Sequence, residues 1–289
     1  MRAILELLRI SLFPTIAADA LVGCFVGAGA WPAAPALLAT IAGSLCVYHG
    51  AMALNDWADR EADRRARPAR PIPSGRVSPR QALSLAALLL IVGPLLAAIV
   101  DWQAAMVLGG VALLAVLYDL CGRGVWLGPL LLGACRAGNL CFGLWMGAAG
   151  GPPAEWVWVA VAAYGLYVLS ISKLGRLEDV EAARVGRSPS GWLLAAALCC
   201  LITPLATRSW SGALLAGLGA LVLVRAALPV RDWPRVELVP AMGRALRMLL
   251  LLTASFALSS PAEERWLVAG LVLCGYPIAS ALRQRFPPS

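Results

Sequence analysis

Charge is scarce in this chain. Asp, Glu, Lys and Arg make up 14% of 289 residues, against about 25% in a water-soluble domain. With 60% hydrophobic residues and a mean hydropathy of +0.77, that shortage excludes a soluble globular protein. Histidine is nearly missing, His49 being the one present. The eight cysteines (24, 46, 121, 135, 141, 199, 200 and 274) include no Cys-x-x-Cys pair. Zinc and a disulfide framework are thereby set aside, and the cysteines read as small apolar packing residues. Period-two alternation is absent, which argues against a transmembrane β-barrel. No appended soluble domain is visible, nor a separate basic domain to hold a duplex, so the net charge of +8 does not indicate nucleic-acid binding. The first apolar segment has a basic flank without a clear small-residue cleavage site, and reads as a span rather than a cleaved signal.

What is there is a series of apolar runs. Ten are long enough to cross the hydrocarbon layer as helices: near 11–30, 35–55, 81–100, 103–119, 127–149, 155–174, 190–207, 211–228, 242–260 and 264–282. The expected fold is all-α, one polytopic transmembrane bundle over 1–289 with polar loops at 56–80 and 173–189. With ten spans, 21 of the 24 Lys and Arg fall on one side with both termini; Arg208 and Arg265 fall on the other, and Arg136 lies inside a span. The positive-inside rule then makes that basic side cytoplasmic, in the cell (inner) membrane.

The most informative stretch ends the second span: Asn55-Asp56-Trp57-Ala58-Asp59-Arg60-Glu61-Ala62-Asp63, then Arg67-Pro68-Ala69-Arg70-Pro71-Ile72-Pro73-Ser74-Gly75. Spacings of three and four put Asp56, Asp59 and Asp63 on one helix face. Three stacked anions repel unless a cation neutralises them, and an all-oxygen cluster suits Mg²⁺, which also binds substrate phosphates. The arginines downstream can hold those phosphates from the other side. A second polar loop, 173–189, opens with Lys173 and Arg176 and carries Glu178, Asp179, Glu181, Arg184 and Arg187. It suggests two related halves sharing one site. The 229–241 stretch reads as a connector. Asp19 and Arg136 are intramembrane charges, costly in lipid and expected to face the interior, either as an ion pair or with Arg136 reaching an anionic substrate group. Asn139 shares the Arg136 stripe. His49 reads as a packed or hydrogen-bonded helix histidine rather than a proton acceptor.

The run Asn-Asp-x-x-Asp-x-x-x-Asp into Arg-Pro-x-Arg-Pro-Ile-Pro-Ser-Gly resembles the UbiA superfamily of intramembrane prenyltransferases. Ala18-Asp19, Gly128-Pro129 and Gly133-Ala-Cys-Arg136-Ala-Gly-Asn139 are similar to an EboC-like branch. The resemblance implies a helical bundle, commonly of nine spans, around a central cavity. It also implies Mg²⁺-dependent transfer of an isoprenoid chain from a prenyl diphosphate to an aromatic or other small acceptor. Asn55, Asp56, Asp59 and Asp63 match the first metal and diphosphate motif, and Arg67 and Arg70 its basic partners. Asp179 and Glu181 match the second metal motif, Arg184 the basic residue after it, and Tyr118 a tyrosine at the end of the fourth span. Asp56, Asp59, Asp63 and Asp179 carry the catalytic role. Asn55, Arg67, Arg70, Tyr118, Arg136, Lys173, Arg176 and Arg184 are the expected substrate-binding set.

The chain also departs from the pattern. Arg176 and Ala183 stand where the second motif usually has acids, and no Asn follows Arg9 in the first span. Trp57 and Tyr118 are candidate shields for an allylic cation, while Trp102, Trp126, Trp156 and Trp158 read as interface residues. The alternative is a non-catalytic relative that binds or exports a lipid or metabolite.

Overall fold

The computed structural model describes residues 1–122, 124–148, 154–177, 184–228 and 232–286. Among them the helices, in chain order, are α1 (Arg2–Leu7), α2 (Phe13–Ala28), α3 (Ala34–Ala58), α4 (Arg60–Ala66), α5 (Pro79–Ala98) and α6 (Trp102–Leu120). They continue with α7 (Leu127–Gly147), α8 (Glu155–Arg176), α9 (Ser188–Thr207), α10 (Trp210–Ala227), α11 (Arg235–Leu258) and α12 (Arg265–Arg285). A 3₁₀ turn (Ile10–Leu12) leads into α2. All but α1 and α4 supply candidate membrane spans, 10 in number. The chain is a multi-pass integral membrane protein. Helices are the natural solution here, because each satisfies its own backbone groups where no water can.

The ten spans fall where the apolar runs predict them, with one correction. The ninth was expected from 242, but α11 begins at Arg235, so part of the expected connector is helix. Arg235, Glu237, Arg244 and Arg247 dilute the hydropathy there. The helix forms because Leu238, Ala241 and Ala245 make a fully buried stripe along one face.

Two glycine seams set the interior. On α2 and α7, Gly23, Gly27, Gly143 and Gly147 let the backbones touch. A Cβ on Gly23 would stand 2.7 Å from the Leu140 carbonyl oxygen, and one on Gly27 or Gly147 would overlap the carbonyl of Leu144 or Cys24. In lipid, packing of this kind replaces the hydrophobic drive for helix association. On α3 and α5, Gly43 and Gly93 play the same part, each against the other's carbonyl oxygen. The first seam sets the polar positions of α2 and α7 side by side, and the second fixes α3, the helix that carries the acids, against α5. Large apolar residues such as Leu88, Ile91 and Leu95 on α5 face outward, as lipid requires.

Candidate active site at one end of the bundle

Asp59 joins α3 to α4 with helical torsions (φ −85°, ψ −4°), and its carbonyl accepts the Asp63 N–H at 2.9 Å. The path from Asn55 to Asp63 therefore stays nearly helical, as the carboxylate spacing predicts. Asp56 and Asp63 turn inward and are buried; Asp59 is half-buried. The prolines end the helical path, and the loop folds back on itself. Ser74 Oγ donates to the Arg70 carbonyl at 2.7 Å, Gly75 takes a left-handed φ of 74°, and Arg76 donates to the Ala69 carbonyl at 2.7 Å. A capping box between Ser78 and Gln81 then starts α5. This fold-back carries Arg70 under the acids.

The acids meet arginines. Arg70 Nη1 donates to Asp63 Oδ2 at 2.6 Å and to Asp56 Oδ1 at 3.4 Å. Arg9 Nη2 donates to Asp56 Oδ1 at 2.9 Å and to Asn55 Oδ1 at 3.2 Å. Arg67 stands 4.0 Å from Asp63. Burial pulls the Arg70 pKa below its usual value, despite the attraction of Asp56 and Asp63. Burial also opposes the charge on Arg9, but Asp56, Tyr48 and Asp63 outweigh it and hold Arg9 above its usual value. Arg9 has φ 49°, a left-handed conformation that is uncommon without glycine. The corner is pinned by His49, whose Nδ1 lies 2.7 Å from the Leu8 carbonyl oxygen. His49 is thus a hydrogen-bonded helix histidine.

Sequence reasoning missed two members of this cluster, Arg9 and Asp119. Asn55 Nδ2 donates to Asp119 Oδ1 at 2.8 Å, and Asp119 is buried in the last turn of α6. An acid at the end of an apolar helix was the available signal; the adjacent Tyr118, expected to bind substrate, is half-buried. Both ends of the Asn55 amide are engaged by protein groups.

The other expected site residues lie elsewhere or have different partners. Lys173 Nζ donates to the Val125 carbonyl at 2.9 Å and sits 3.6 Å over the Trp126 ring, with Trp192 5.4 Å away. Trp126, expected as an interface residue, is thus a cation-binding ring. Arg176 reaches the Gly124 carbonyl at 3.5 Å. Arg184, expected on a diphosphate, pairs with Asp232 at 3.2 Å, both exposed. Asp179 and Glu181 fall outside the described residues. Trp57 carries the Arg60 guanidinium 4.5 Å above its ring, so that face is covered.

Arg136 is in the interior, as expected, and the ion-pair arrangement is the one observed. Its Nη1 donates to Asp19 Oδ2 at 2.7 Å and its Nη2 to Thr15 Oγ1 at 3.0 Å. Tyr164 and Thr253 donate to the other Asp19 oxygen at 2.6 and 3.2 Å. This network joins α2, α7, α8 and α11.

Several known proteins are similar. Digeranylgeranylglyceryl phosphate synthase of Methanopyrus kandleri is 38% identical over 184 residues, 63% of this chain and 65% of that protein. The bacteriochlorophyll synthase 33 kDa chain of Cereibacter sphaeroides is 34% identical over 194 residues, 63% of this chain and 61% of that one. The chain thus spans slightly less than two thirds of these curated relatives. Among solved structures, a UbiA homolog from Aeropyrum pernix superposes with a TM-score of 0.68 at 19% identity, covering 86% of this chain and 97% of that one. A UbiA homolog from Archaeoglobus fulgidus bound to GPP and Mg²⁺ gives 0.62 at 15% identity, covering 88% and 99%. The likeness of fold extends over most of the chain, and the model of the UbiA prenyltransferase family matches residues 12–251. The chain belongs to the UbiA prenyltransferase family.

Proposed function

We propose that this protein transfers an isoprenoid chain from a prenyl diphosphate to a small hydrophobic acceptor, with Mg²⁺ at the Asp56–Asp63 end of the bundle. The observation that carries this is the convergence of the Asp56 and Asp63 carboxylates on a single nitrogen of Arg70, at 3.4 and 2.6 Å. That place is built to hold positive charge. Among the described residues no three Asp, Glu, His or Cys side chains gather as a ready metal cage. The donor set still fits Mg²⁺, which is commonly held by one or two carboxylates and completed by substrate phosphates. Asp56, Asp59 and Asp63 would hold it. Bound there, the ion supplies charge neutralisation for the departing diphosphate.

The chain's own residues do the rest. Diphosphate oxygens compete with the carboxylates for Arg9 and Arg70, and each arginine offers several donors in a fixed fork. Arg67, half-exposed beside Asp63, adds a third cation. As the allylic C–O bond breaks, pyrophosphate carries off the bonding electrons, and positioned guanidinium groups stabilise that growing charge. The bundle interior excludes water from the allylic cation until an acceptor atom bonds to it and sheds its proton. The name digeranylgeranylglyceryl phosphate synthase, carried by the Methanopyrus kandleri relative, supports a lipid-forming acceptor. The basic end is cytoplasmic in this reading, in the inner membrane, by the charge asymmetry of the loops.

The test uses purified protein in nanodiscs with geranyl diphosphate and Mg²⁺, following pyrophosphate release and product mass. Asp56→Asn and Asp63→Asn should lose about 10²-fold or more in turnover while still inserting into the membrane. Undiminished turnover in Asp63→Asn removes the cluster from the chemistry. Arg176 and Ala183, where the family has acids, support a second reading, binding without transfer. It predicts Mg²⁺-dependent binding of geranyl diphosphate with no pyrophosphate released from any acceptor.

A further inference from the structure

The opposite end of the bundle holds a cleft of about 510 Å³ that the proposed chemistry does not use. That volume lies within the range of small-ligand sites, about 300–1,000 Å³. Its walls come from the start of α8, the α9–α10 turn and the α11–α12 turn, and include Thr207, Ser209, Ser211, Ser259, Ser260 and Arg265. Arg265 is one of only two basic residues that the span order puts at this end.

Thr207 spends its hydroxyl proton on the Thr203 carbonyl at 3.1 Å, Ser209 on Leu258 at 3.0 Å and Ser259 on Ser255 at 3.0 Å. Ser260 Oγ accepts the Ala262 N–H at 3.3 Å, and its own proton has no acceptor among the described residues. Among the described residues Ser211 has only a long contact of 3.4 Å with Ser209. Arg265 Nη1 reaches the Ser260 carbonyl at 3.4 Å, and its Nε is buried with no hydrogen-bond partner among the described residues. The uncommitted donors are thus the Arg265 fork with Ser211 and Ser260 beside it.

Charge points the same way. Three helices begin at the cleft (α8, α10 and α12) and two end there (α9 and α11). Helix ends carry about half a charge each, so their balance is slightly positive. Arg265 adds a full positive charge; among the described residues no acid lines the cleft, and Glu155, Glu263 and Glu264 adjoin it in sequence. Arg265 is half-buried and pairs with no carboxylate among the described residues, so an anion would complete its fork. Trp156 and Trp210 flank the opening, residues suited to the membrane boundary.

We infer that this cleft is an oxyanion-binding site, centred on Arg265 with Ser211 and Ser260, for a phosphate group. The phosphate belongs either to an anionic lipid of the adjacent leaflet or to a soluble molecule. The inference is independent of the transfer reaction at the other end, so each stands or fails alone.

Thermal midpoints and native mass spectra of the full chain decide it, in nanodiscs of phosphatidylcholine alone, with phosphatidylglycerol added, and with inorganic phosphate added. A rise in midpoint and retained phosphatidylglycerol identify a lipid phosphate; a rise with inorganic phosphate identifies a soluble one. In either case Arg265→Gln should lose the rise, and Arg265→Lys, which keeps the charge without the fork, should keep about half of it. Arg285→Gln, at the other end of α12, should respond as the unaltered chain does. Should Arg265→Gln fail to fold, Ser211→Val gives the same readout with the charge intact. No rise with either probe, or an equal rise in the Arg265 and Ser211 variants, overturns the inference.

Discussion

Replacing Asp19 by leucine tests the interior network most directly. The side chain is fully buried and accepts three hydrogen bonds, from Arg136, Tyr164 and Thr253. Asp19→Leu leaves Arg136 without a counterion inside the bundle and takes the acceptor from Tyr164. Breaking one side of a buried pair costs about 3–5 kcal/mol. At roughly 2 °C per kcal/mol for a chain of this size, the thermal midpoint in nanodiscs should fall by about 6–10 °C. Adding Arg136→Met should restore most of that loss, leaving a deficit of about 1–2 kcal/mol, because a buried pair contributes little beyond its own desolvation. The sign of the double-mutant coupling is the decisive quantity. If the double variant falls as far as the two single losses summed, Asp19 and Arg136 do not neutralise each other and the network is misread.

Three further outcomes follow from other contacts. Gly147→Leu forces a side chain into the Cys24 carbonyl across the α2–α7 seam, and should abolish the folded fraction in size-exclusion chromatography of detergent extracts, whereas Gly109→Leu, with open space around it, should not. Lys173→Met removes the cation between Trp126 and Trp192 and the bond to Val125; a loss of about 1–2 kcal/mol should appear as earlier proteolysis of the segment before α7. Arg76, first by its hydrogen bond, holds the Glu6 carboxyl below its usual pKa. The tie between α1 and the arginine loop is therefore complete above the ordinary glutamate range and lost as pH falls through the lowered value. Glu6→Gln should flatten that acid dependence of the midpoint, by about 0.5 kcal/mol or less for so exposed a pair.

The sequence by itself determined the helical class and the number and placement of the spans, because lipid permits few structures and marks each span by length. It also determined the near-helical run of acids at the end of α3, since three- and four-residue spacing is a local property. Local rules erred at the start of α11, where burial of Leu238, Ala241 and Ala245 outweighs a diluted hydropathy. Only the tertiary structure decided which cation each acid meets. Arg9 lies 47 residues from Asp56 and reaches it through a left-handed corner held by His49. Asp119 joins through Asn55, 64 residues away. Arg184 and Lys173, plausible by composition, are drawn to Asp232 and to a pair of indoles. Ion pairing is set by which side chains packing brings within a few ångströms, and no spacing along one helix encodes the approach of another.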